Sequence, residues 1–236
     1  MGPLSIGLTA ATGGVFYVAY ATTWPSSQIW GKVTARGPAN SKGVAITFDD
    51  GPTPQGTELV LDALKQAGAR ASFFVIGQNV KKYPDLLRRM DAEGHLIGNH
   101  TFTHGHYSFW RRTAFWEREM RETDDAIEAV IGKRPQFFRP PLGVKTCFVT
   151  AAARKRQQQI VTWSLRAIDG IPKPPERILK RFQTVAAGDI LVLHDGADPQ
   201  VPHRDRTGAG RAVGPLVALI RSRGLQPMRL DELLAR

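Results

Sequence analysis

Short apolar runs alternate with longer amphipathic segments from about residue 43 to the end of the 236-residue chain. Seven runs indicate buried strands: Val44–Phe48, Ala71–Ile76, His95–Gly98, Gln136–Phe138, Ile160–Trp163, Ile190–Leu193 and Gln226–Met228. Between them, apolar residues recur every three or four positions, which predicts helices over Thr57–Ala67, Tyr83–Ala92, Phe109–Ile131, Lys145–Gln158, Glu176–Ala186, Ala212–Arg223 and Leu230–Leu234.

Strict alternation of strand and helix implies parallel strands joined by right-handed crossovers. About seven such units favour a closed or nearly closed (β/α) barrel over an open sheet, and chains of about 200 to 250 residues commonly form one such barrel. We therefore predict an α/β fold with one barrel of about seven parallel strands over residues 42–236. In barrels of this kind the active site lies at the C-terminal ends of the strands.

The N-terminal segment, residues 1–31, contains no charged side chain. Leu4–Ala21 is mostly apolar and ends in Ala19-Tyr20-Ala21, which has the form of a signal-peptidase site. We predict an export signal or a single membrane anchor over residues 1–31, followed by a linker over residues 32–41. The alternative is a helix or tail packed on the domain.

The location of the folded domain follows from how this segment is interpreted. An export signal or an exported anchor places the domain in the cell envelope, which is our prediction. The first basic residues follow the apolar stretch, however, and for a retained anchor the positive-inside rule would place the domain in the cytoplasm. These basic residues are Lys32, Arg36 and Lys42.

Composition limits the other functional classes. The net charge of +11 attracts polyanions, but the charge is spread out, and no long basic run or nucleic-acid motif is present. We therefore expect a solvated basic surface and no nucleic-acid partner. We also expect a monomer. The single cysteine, Cys147, rules out an intramolecular disulfide and a cysteine-based metal site.

Polar residues follow the predicted strands at the points where the strands end. Asp49 and Asp50 end the first strand and His100 follows the third. Because the C-terminal ends of parallel strands meet at one rim, all of these side chains are expected to lie close together. The remaining members of this set are Arg139 after the fourth strand, Asp169 after the fifth and His194 at the end of the sixth.

A metal site is predicted from two imidazoles and one carboxylate, those of His100, His104 and Asp50. Three ligands leave a coordination position open, which is typical of a catalytic rather than a structural zinc site. On a helical turn, the four-residue spacing of the histidines would place both rings on one face. Asp49 would accept a proton from activated water. Adjacent carboxylates repel each other, so the pair needs a cation or the guanidinium of Arg139.

The segment Arg139-Pro140-Pro141-Leu142-Gly143 supplies a rigid backbone. Since proline has no N–H, the first free amide after Arg139 is that of Leu142, which we predict to face a developing oxyanion. His194 at the end of an apolar strand is the candidate general acid, and Asp169 is the candidate residue that orients its ring.

In combination and in order, the segments TFDDGP, HxxGNHTxTH, RPPxG, WS…D and LVLHDG resemble those of the polysaccharide deacetylases, carbohydrate esterase family four, over residues 42–234. The resemblance implies a distorted (β/α) barrel and a divalent metal, usually Zn²⁺, with Co²⁺, Ni²⁺ or Mn²⁺ as alternatives. It also implies removal of acetyl groups from N-acetylated, sometimes O-acetylated, sugars of peptidoglycan, chitin or xylan.

The resemblance also implies a role for individual residues. Asp49 would be the catalytic base, paired with Arg139, and His194 the general acid. The metal ligands would be Asp50, His100 and His104, and the residues at the oxyanion and the substrate would be Leu142, Pro141, Gly143 and Val192.

Three departures from the family pattern leave the substrate open. Leu142 stands where tyrosine is frequent, and Val192 where leucine is common. In the fourth segment Asp169 is kept, but Arg166 and Gly170 replace an acid and a tryptophan that normally helps to form the acyl pocket. Two alternatives therefore remain, a deacylase or deformylase of a lipid-linked amino sugar and a metal-retaining but catalytically weak carbohydrate-binding domain. The Gly- and Arg-rich stretch Gly196–Gly214 is predicted to be a mobile substrate loop or a plain surface loop.

Overall fold

Parallel strands and intervening helices make up most of the structure, a computed structural model that describes residues 14–106 and 108–235. The strands in this part of the chain are β1 Gly43–Asp49, β2 Ser72–Val75, β3 Leu96–Asn99, β4 Phe137–Phe138, β5 Gln159–Ile160, β6 Leu165–Arg166, β7 Ile190–His194 and β8 Gln226–Met228. The helices are α1 over residues 14–23, α2 Gly56–Gln66, α3 Gly77–Lys82, α4 Pro84–Ala92, α5 Thr113–Ile131, α6 Cys147–Lys155, α7 Pro175–Lys180, α8 Thr207–Ser222 and α9 Leu230–Leu234.

The sheet is curled into an open-sided barrel. Its strand order is β5-β4-β3-β2-β1-β7-β6, and β8 pairs with the first half of β1. Only four residues separate the edge strands β5 and β6, which an extended chain spans in at most about 18 Å. The two edges of the sheet must therefore approach each other. Residues 34–37 cross the remaining gap, with Thr34 pairing with Val161 and Arg36 with Asp189.

The predicted α/β barrel of parallel strands is therefore confirmed. All seven residues of β1 are buried, as expected for a strand covered on both faces. Val44, Ile46 and Phe48 belong to the cluster that packs under the helices, whereas Ala45 belongs to a separate cluster with Leu230 of α9. Successive strand residues thus alternate between the outer layer and the barrel interior.

The barrel interior is apolar at one end and polar at the other. Near the start of β1, Ala45 packs with Leu230 and Leu233, so α9 closes this end. Two and four residues later, Thr47 and Asp49 occupy the same face of β1 and are buried. The polar end is the one at which the parallel strands terminate.

Several element boundaries differ from the sequence prediction. Helix α5 begins at Thr113 rather than Phe109 because turns occupy the intervening residues. The predicted helix Tyr83–Ala92 begins at Pro84 and is preceded by an unpredicted short helix, α3. Strand β6 was also not predicted, since two residues are too short for a periodic pattern.

Helix α8 begins at Thr207, five residues earlier than predicted, so the predicted loop Gly196–Gly214 is helical from Thr207 onward. The glycines of this stretch suggested a loop, but Gly210 serves packing. A Cβ at Gly210 would lie 2.7 Å from the Leu59 Cβ of α2. Glycine here lets the two helices approach closely.

The N-terminal segment lies partly outside the described residues, which begin at residue 14. Trp24 and the outer residues of α1 are exposed, but the chain at Thr22–Pro25 packs on the barrel. The backbone N–H of Lys145 donates to the Thr22 carbonyl (2.9 Å), and the Thr162 hydroxyl donates to the Pro25 carbonyl (2.9 Å). Among the described helices, none combines the length and the apolar character needed to cross a bilayer. The signal or anchor thus stays a prediction.

We predict that Leu61→Ala lowers the free energy of unfolding by about 3 kcal/mol, because it empties a fully buried position in the core between α2 and the sheet. Leu59→Ala on the same helix removes the same atoms from a position that is 37% exposed and should cost about 1 kcal/mol or less. Urea denaturation of both variants measures the difference. Equal losses would contradict this assignment of the core.

Candidate active site

A cavity of about 300 Å³ opens at the C-terminal ends of the strands. Seven of the residues predicted from the sequence line it: Asp49, Asp50, His100, His104, Leu142, Val192 and His194. The other four, Arg139, Asp169, Pro141 and Gly143, are buried beside residues of the lining. The structure therefore brings the whole predicted set to one rim.

The end of β1 places both aspartates at the cavity. Asp49 faces inward by strand alternation and is in register with His194 on the neighbouring strand β7. A regular strand would turn Asp50 outward. Asp50 instead has a φ of 75°, which breaks the alternation, and its carbonyl accepts a hydrogen bond from the Asn79 side chain (2.7 Å). Both carboxylates therefore face one cavity.

Three potential metal-binding atoms converge beside Asp49. The Asp50 Oδ1 atom lies 3.5 Å from His100 Nε2 and 3.4 Å from His104 Nε2. Ligands held about 2.0 to 2.2 Å from a tetrahedral zinc ion are roughly 3.3 to 3.6 Å apart, so these two separations match those between ligands of such a site. Oδ1 is buried and makes no hydrogen bond within the described part of the chain.

The partners of the two imidazoles determine which ring nitrogen faces the cavity. His100 Nδ1 lies 2.7 Å from the Arg139 carbonyl, which only accepts, so Nδ1 must carry the proton. His104 Nδ1 lies 3.0 Å from the Asp198 carboxylate. In the neutral rings both Nε2 lone pairs then point at the carboxylate of Asp50. Three acceptors that face one another without a proton are the donor set of a divalent cation.

The histidines do not lie on a helix, so that part of the prediction is wrong. Residues 100–104 form a loop in which Thr101 and His104 have φ values of 72° and 53°. The Asn99 side chain accepts the Thr101 N–H (2.8 Å), and the buried Glu119 carboxylate accepts the N–H groups of Phe102 and Thr103. This loop brings the ring centroids of His100 and His104 to 4.9 Å.

The electrostatics of Asp50 agree with a cation site. Burial opposes ionisation of the carboxyl, but the imidazoles, with His104 contributing most, hold the pKa of Asp50 well below its usual range. The carboxylate is therefore ionised over the physiological pH range and available as a ligand.

Asp49 is held by a fully buried guanidinium. Arg139 Nη1 donates to Asp49 Oδ1 and to the Thr47 hydroxyl, both at 2.7 Å. The other guanidinium nitrogens donate to the carbonyls of Val161 and Thr162, and the Phe74 ring stacks 4.1 Å away. With Oδ1 engaged, Oδ2 remains for the cavity and lies 4.0 Å from His100 Nε2. The predicted pairing of Arg139 with Asp49 is present in the structure.

Asp50 is paired with a different guanidinium, that of Arg206, which was not predicted. Arg206 Nη2 lies 3.3 Å from Asp50 Oδ2, while its Nε and Nη1 donate to the carbonyls of Gly196 and Asp169, each at 2.7 Å. Arg206 is 6% exposed. It lies 156 positions from Asp50 in a stretch rich in arginine, so no local pattern distinguishes it.

His194 is paired with Asp169. One carboxylate oxygen lies 2.7 Å from His194 Nδ1, and the other accepts the His194 backbone N–H at 3.0 Å. Burial would lower the pKa of His194, but the Asp169 carboxylate outweighs it and raises the pKa to about 9. The ring is therefore protonated at neutral pH, with Nε2 left free of Asp169.

Part of the cavity wall is apolar. Leu142 is 57% exposed and lines the cavity with Trp163, Ile168 and Val192. Leu142 sits in a 3₁₀ turn with a φ of 56°, and a Cβ on the next residue, Gly143, would lie 2.5 Å from the Trp163 ring. Trp163 thus contributes an indole to this wall, whereas Gly170, which also lines the cavity, contributes no side chain.

We predict that Arg206→Gln lowers the free energy of unfolding of the metal-free protein by about 3 kcal/mol. The change leaves the buried Asp50 carboxylate without its guanidinium and breaks two further buried hydrogen bonds. Urea denaturation with a chelator present measures the loss. The control is Arg204→Gln, which removes a partly buried guanidinium whose one hydrogen bond within residues 14–106 and 108–235 is to the Gly170 carbonyl (2.5 Å). Equal stability of the two variants would contradict the assignment.

Comparison with known proteins places this arrangement in a family. Residues 36–161 match the family model described as polysaccharide deacetylase. A peptidoglycan-N-acetylglucosamine deacetylase of Bacillus cereus is 34% identical over 210 residues, which cover 86% of this chain and 93% of that protein. A chitooligosaccharide deacetylase of Bradyrhizobium is 34% identical over 203 residues, which cover 83% and 92% of the two chains.

The fold agrees with these sequence matches. The crystal structure of the Bc1960 peptidoglycan N-acetylglucosamine deacetylase superposes with a TM-score of 0.78 at 27% identity, over 86% of this chain and 92% of that one. The chain therefore belongs to the polysaccharide deacetylase family.

Proposed function

We propose that this protein hydrolyses the acetamide of N-acetylated amino sugars in a cell-envelope polysaccharide, and that it uses one zinc ion. The observation that carries the proposal is the triangle of Asp50 Oδ1 and the two imidazole Nε2 atoms, with Asp49 beside it. One carboxylate and two imidazoles suit zinc, whereas Co²⁺, Ni²⁺ and Mn²⁺ remain alternatives that reconstitution can compare. Bound there, the ion would supply Lewis acidity, which activates water and polarises the amide carbonyl.

In this proposal Asp49 takes the proton of the attacking water. Its Oδ2 faces the cavity because Oδ1 is engaged by Arg139. The guanidinium is also hydrogen-bonded to Thr47 and to two carbonyls, so it cannot easily move away from the carboxylate. A fixed orientation of the base reduces the reorganisation needed for proton transfer.

The leaving amine would receive its proton from His194. The Asp169 carboxylate engages Nδ1, so Nε2 is the proton donor, and the raised pKa keeps that proton in place at neutral pH. The Leu142 amide would stabilise the negative charge on the former carbonyl oxygen, because Pro140 and Pro141 offer no N–H. Pro141, Gly143 and Val192 would support this wall of the substrate site.

Asp49→Asn should lower kcat about 10²- to 10⁴-fold, because it removes the base and keeps the shape. The measurement is acetate release from chitooligosaccharides and peptidoglycan fragments, with metal stripped and zinc restored. The control is Asp62→Asn, a 57% exposed aspartate paired with Arg89. Full activity of Asp49→Asn with stoichiometric zinc would refute the assigned base.

The rate of the zinc enzyme should fall as pH rises through the pKa of His194, because only the protonated ring donates. Asp169→Asn removes the main cause that raises this pKa, so it moves toward the ordinary value of about 6.5. The alkaline limb of kcat/KM against pH should then shift to lower pH. An unshifted limb would show that another group is the acid.

The surroundings of the cavity favour an anionic saccharide. Arg166 and Arg204 line the cavity, and neither forms an ion pair with a carboxylate in the described residues. Arg166 is exposed and stands where the family often has an acid. Peptidoglycan carries carboxylates and chitin does not, so a preference for peptidoglycan fragments over chitooligosaccharides is the expected outcome of the acetate assay. This substrate agrees with a location in the cell envelope.

A lipid-linked amino sugar is the second candidate substrate, and the N-terminal segment supports it. The exposed side chains of α1 include Val15 (70%), Phe16 (75%) and Tyr17 (58%), an apolar surface suited to a bilayer. A monomer anchored by this segment would meet substrates at the membrane surface. A weak carbohydrate-binding domain is the remaining alternative, and the lining of one cavity by Asp49, His194 and the three potential metal-binding atoms supports the hydrolase over it.

A further inference from the structure

Asp198 is a buried carboxylate for which the reaction proposed above has no direct use. It lies four residues beyond His194, in the segment that joins β7 to α8, and it is 3% exposed. Its Oδ2 atom is 3.0 Å from His104 Nδ1, although the two residues are 94 positions apart. The same oxygen also contacts His106 Nε2.

The segment that carries Asp198 is hydrogen-bonded to the loops that carry the proposed metal ligands. The Gln200 side chain donates to the His104 carbonyl (2.6 Å), and the Gln200 backbone N–H donates to Asp198 Oδ1 (2.8 Å). The Asn79 side chain donates to the carbonyls of both Asp50 and Ala197. These hydrogen bonds hold the first part of the predicted loop Gly196–Gly214 in place around Asp198.

Close packing against the end of β1 also holds the segment that carries Asp198 in place. A Cβ at Gly196 would lie 2.3 Å from the backbone atoms of Asp50 and Gly51. Glycine thus lets the segment run directly over the turn that presents Asp50. The position of Asp198 relative to the metal-binding atoms is consequently fixed by backbone contacts on both sides.

We propose that Asp198 is a positioning residue of the metal centre, which acts through His104. By accepting the Nδ1 proton, its carboxylate holds the tautomer and the ring orientation in which Nε2 faces Asp50. Its negative charge also makes the ring a stronger donor toward a cation. Such outer carboxylate partners typically change metal affinity by about 10- to 100-fold.

The two histidine ligands differ in this respect. His100 donates to a neutral backbone carbonyl, that of Arg139, and His104 to a buried anion. His104 is therefore the ligand whose affinity depends on an outer charge.

A different role for the same residues is a second cation site. His104, His106 and Asp198 also place three potential ligand atoms within 4.8 Å of one another. That site would require His104 to bind one ion through each ring nitrogen, and a neutral imidazole has only one free lone pair. The pairing of His104 with Asp198 therefore favours one ion and an outer carboxylate.

The proposal rests on metal binding at the proposed active site, and its test does not depend on catalysis. Zinc affinity of the full chain is measured by competition with a chromophoric chelator. Asp198→Asn, which keeps the shape and removes the charge, and Asp198→Ala should each bind zinc about 10- to 100-fold more weakly than the wild type. The matched control is Asp205→Asn, which makes the same charge change in the same segment, where the exposed carboxylate caps Thr207.

Two further measurements separate positioning from general structure. Thermal unfolding of the metal-free variants checks that they fold, and Asp198→Asn is the variant to be used should Asp198→Ala unfold. His106→Ala should keep one zinc per chain with near wild-type affinity. The proposal is overturned if Asp198→Asn binds zinc within about twofold of Asp205→Asn, or if the wild type binds two ions and His106→Ala binds one.

The same experiment distinguishes failure of this proposal from failure of the proposed function. Weakened zinc binding by the Asp198 variants, without acetate release by the wild type, would retain the positioning role and reject the deacetylase assignment. Acetate release by the wild type with unchanged zinc affinity in the Asp198 variants would retain the deacetylase assignment and reject the positioning role. Failure of the wild type to bind zinc, Co²⁺, Ni²⁺ or Mn²⁺ would overturn both.

Discussion

Two adjacent buried carboxylates at the end of β1 impose the constraint on which the rest of the site depends. Asp49 and Asp50 are each 3% exposed, and their mutual repulsion in a poorly hydrated environment has to be offset. The structure gives each its own guanidinium, Arg139 for Asp49 and Arg206 for Asp50. One oxygen of each carboxylate, Asp49 Oδ1 and Asp50 Oδ2, is paired with a guanidinium in this way. The other oxygen of each carboxylate faces the cavity.

This arrangement connects distant parts of the barrel. Arg139 follows β4 and reaches across the interior to β1, while Arg206 precedes α8 and also holds the carbonyl of Asp169. The same rim therefore owes its geometry to hydrogen bonds between segments that are far apart in the chain. An apolar barrel interior would offer no partners for such groups, which is why the polar residues are confined to the end of the barrel opposite α9.

Much of the fold and most of the first layer of the site follow from local sequence patterns. The apolar runs and their spacing predict parallel strands, and the positions of Asp49, Asp50, His100, Arg139 and His194 after those runs predict a common rim. The spacing of the histidines nevertheless suggested a helix, and the structure has a loop with left-handed residues instead. Spacing alone shows that two side chains can share a ligand, but the backbone path between them depends on partners such as Glu119.

The sequence by itself determined the barrel, the rim and the family, because these depend on periodicity and on short motifs that survive without tertiary context. Only the tertiary structure decided that Asp198 contacts His104 and that Arg206 contacts Asp50. Both lie in a stretch whose glycines and arginines suggest a loop, and they act across 94 and 156 positions of the chain. Such contacts arise from the close approach of backbone segments, as at Gly196, and no local pattern encodes which distant residue will be buried there.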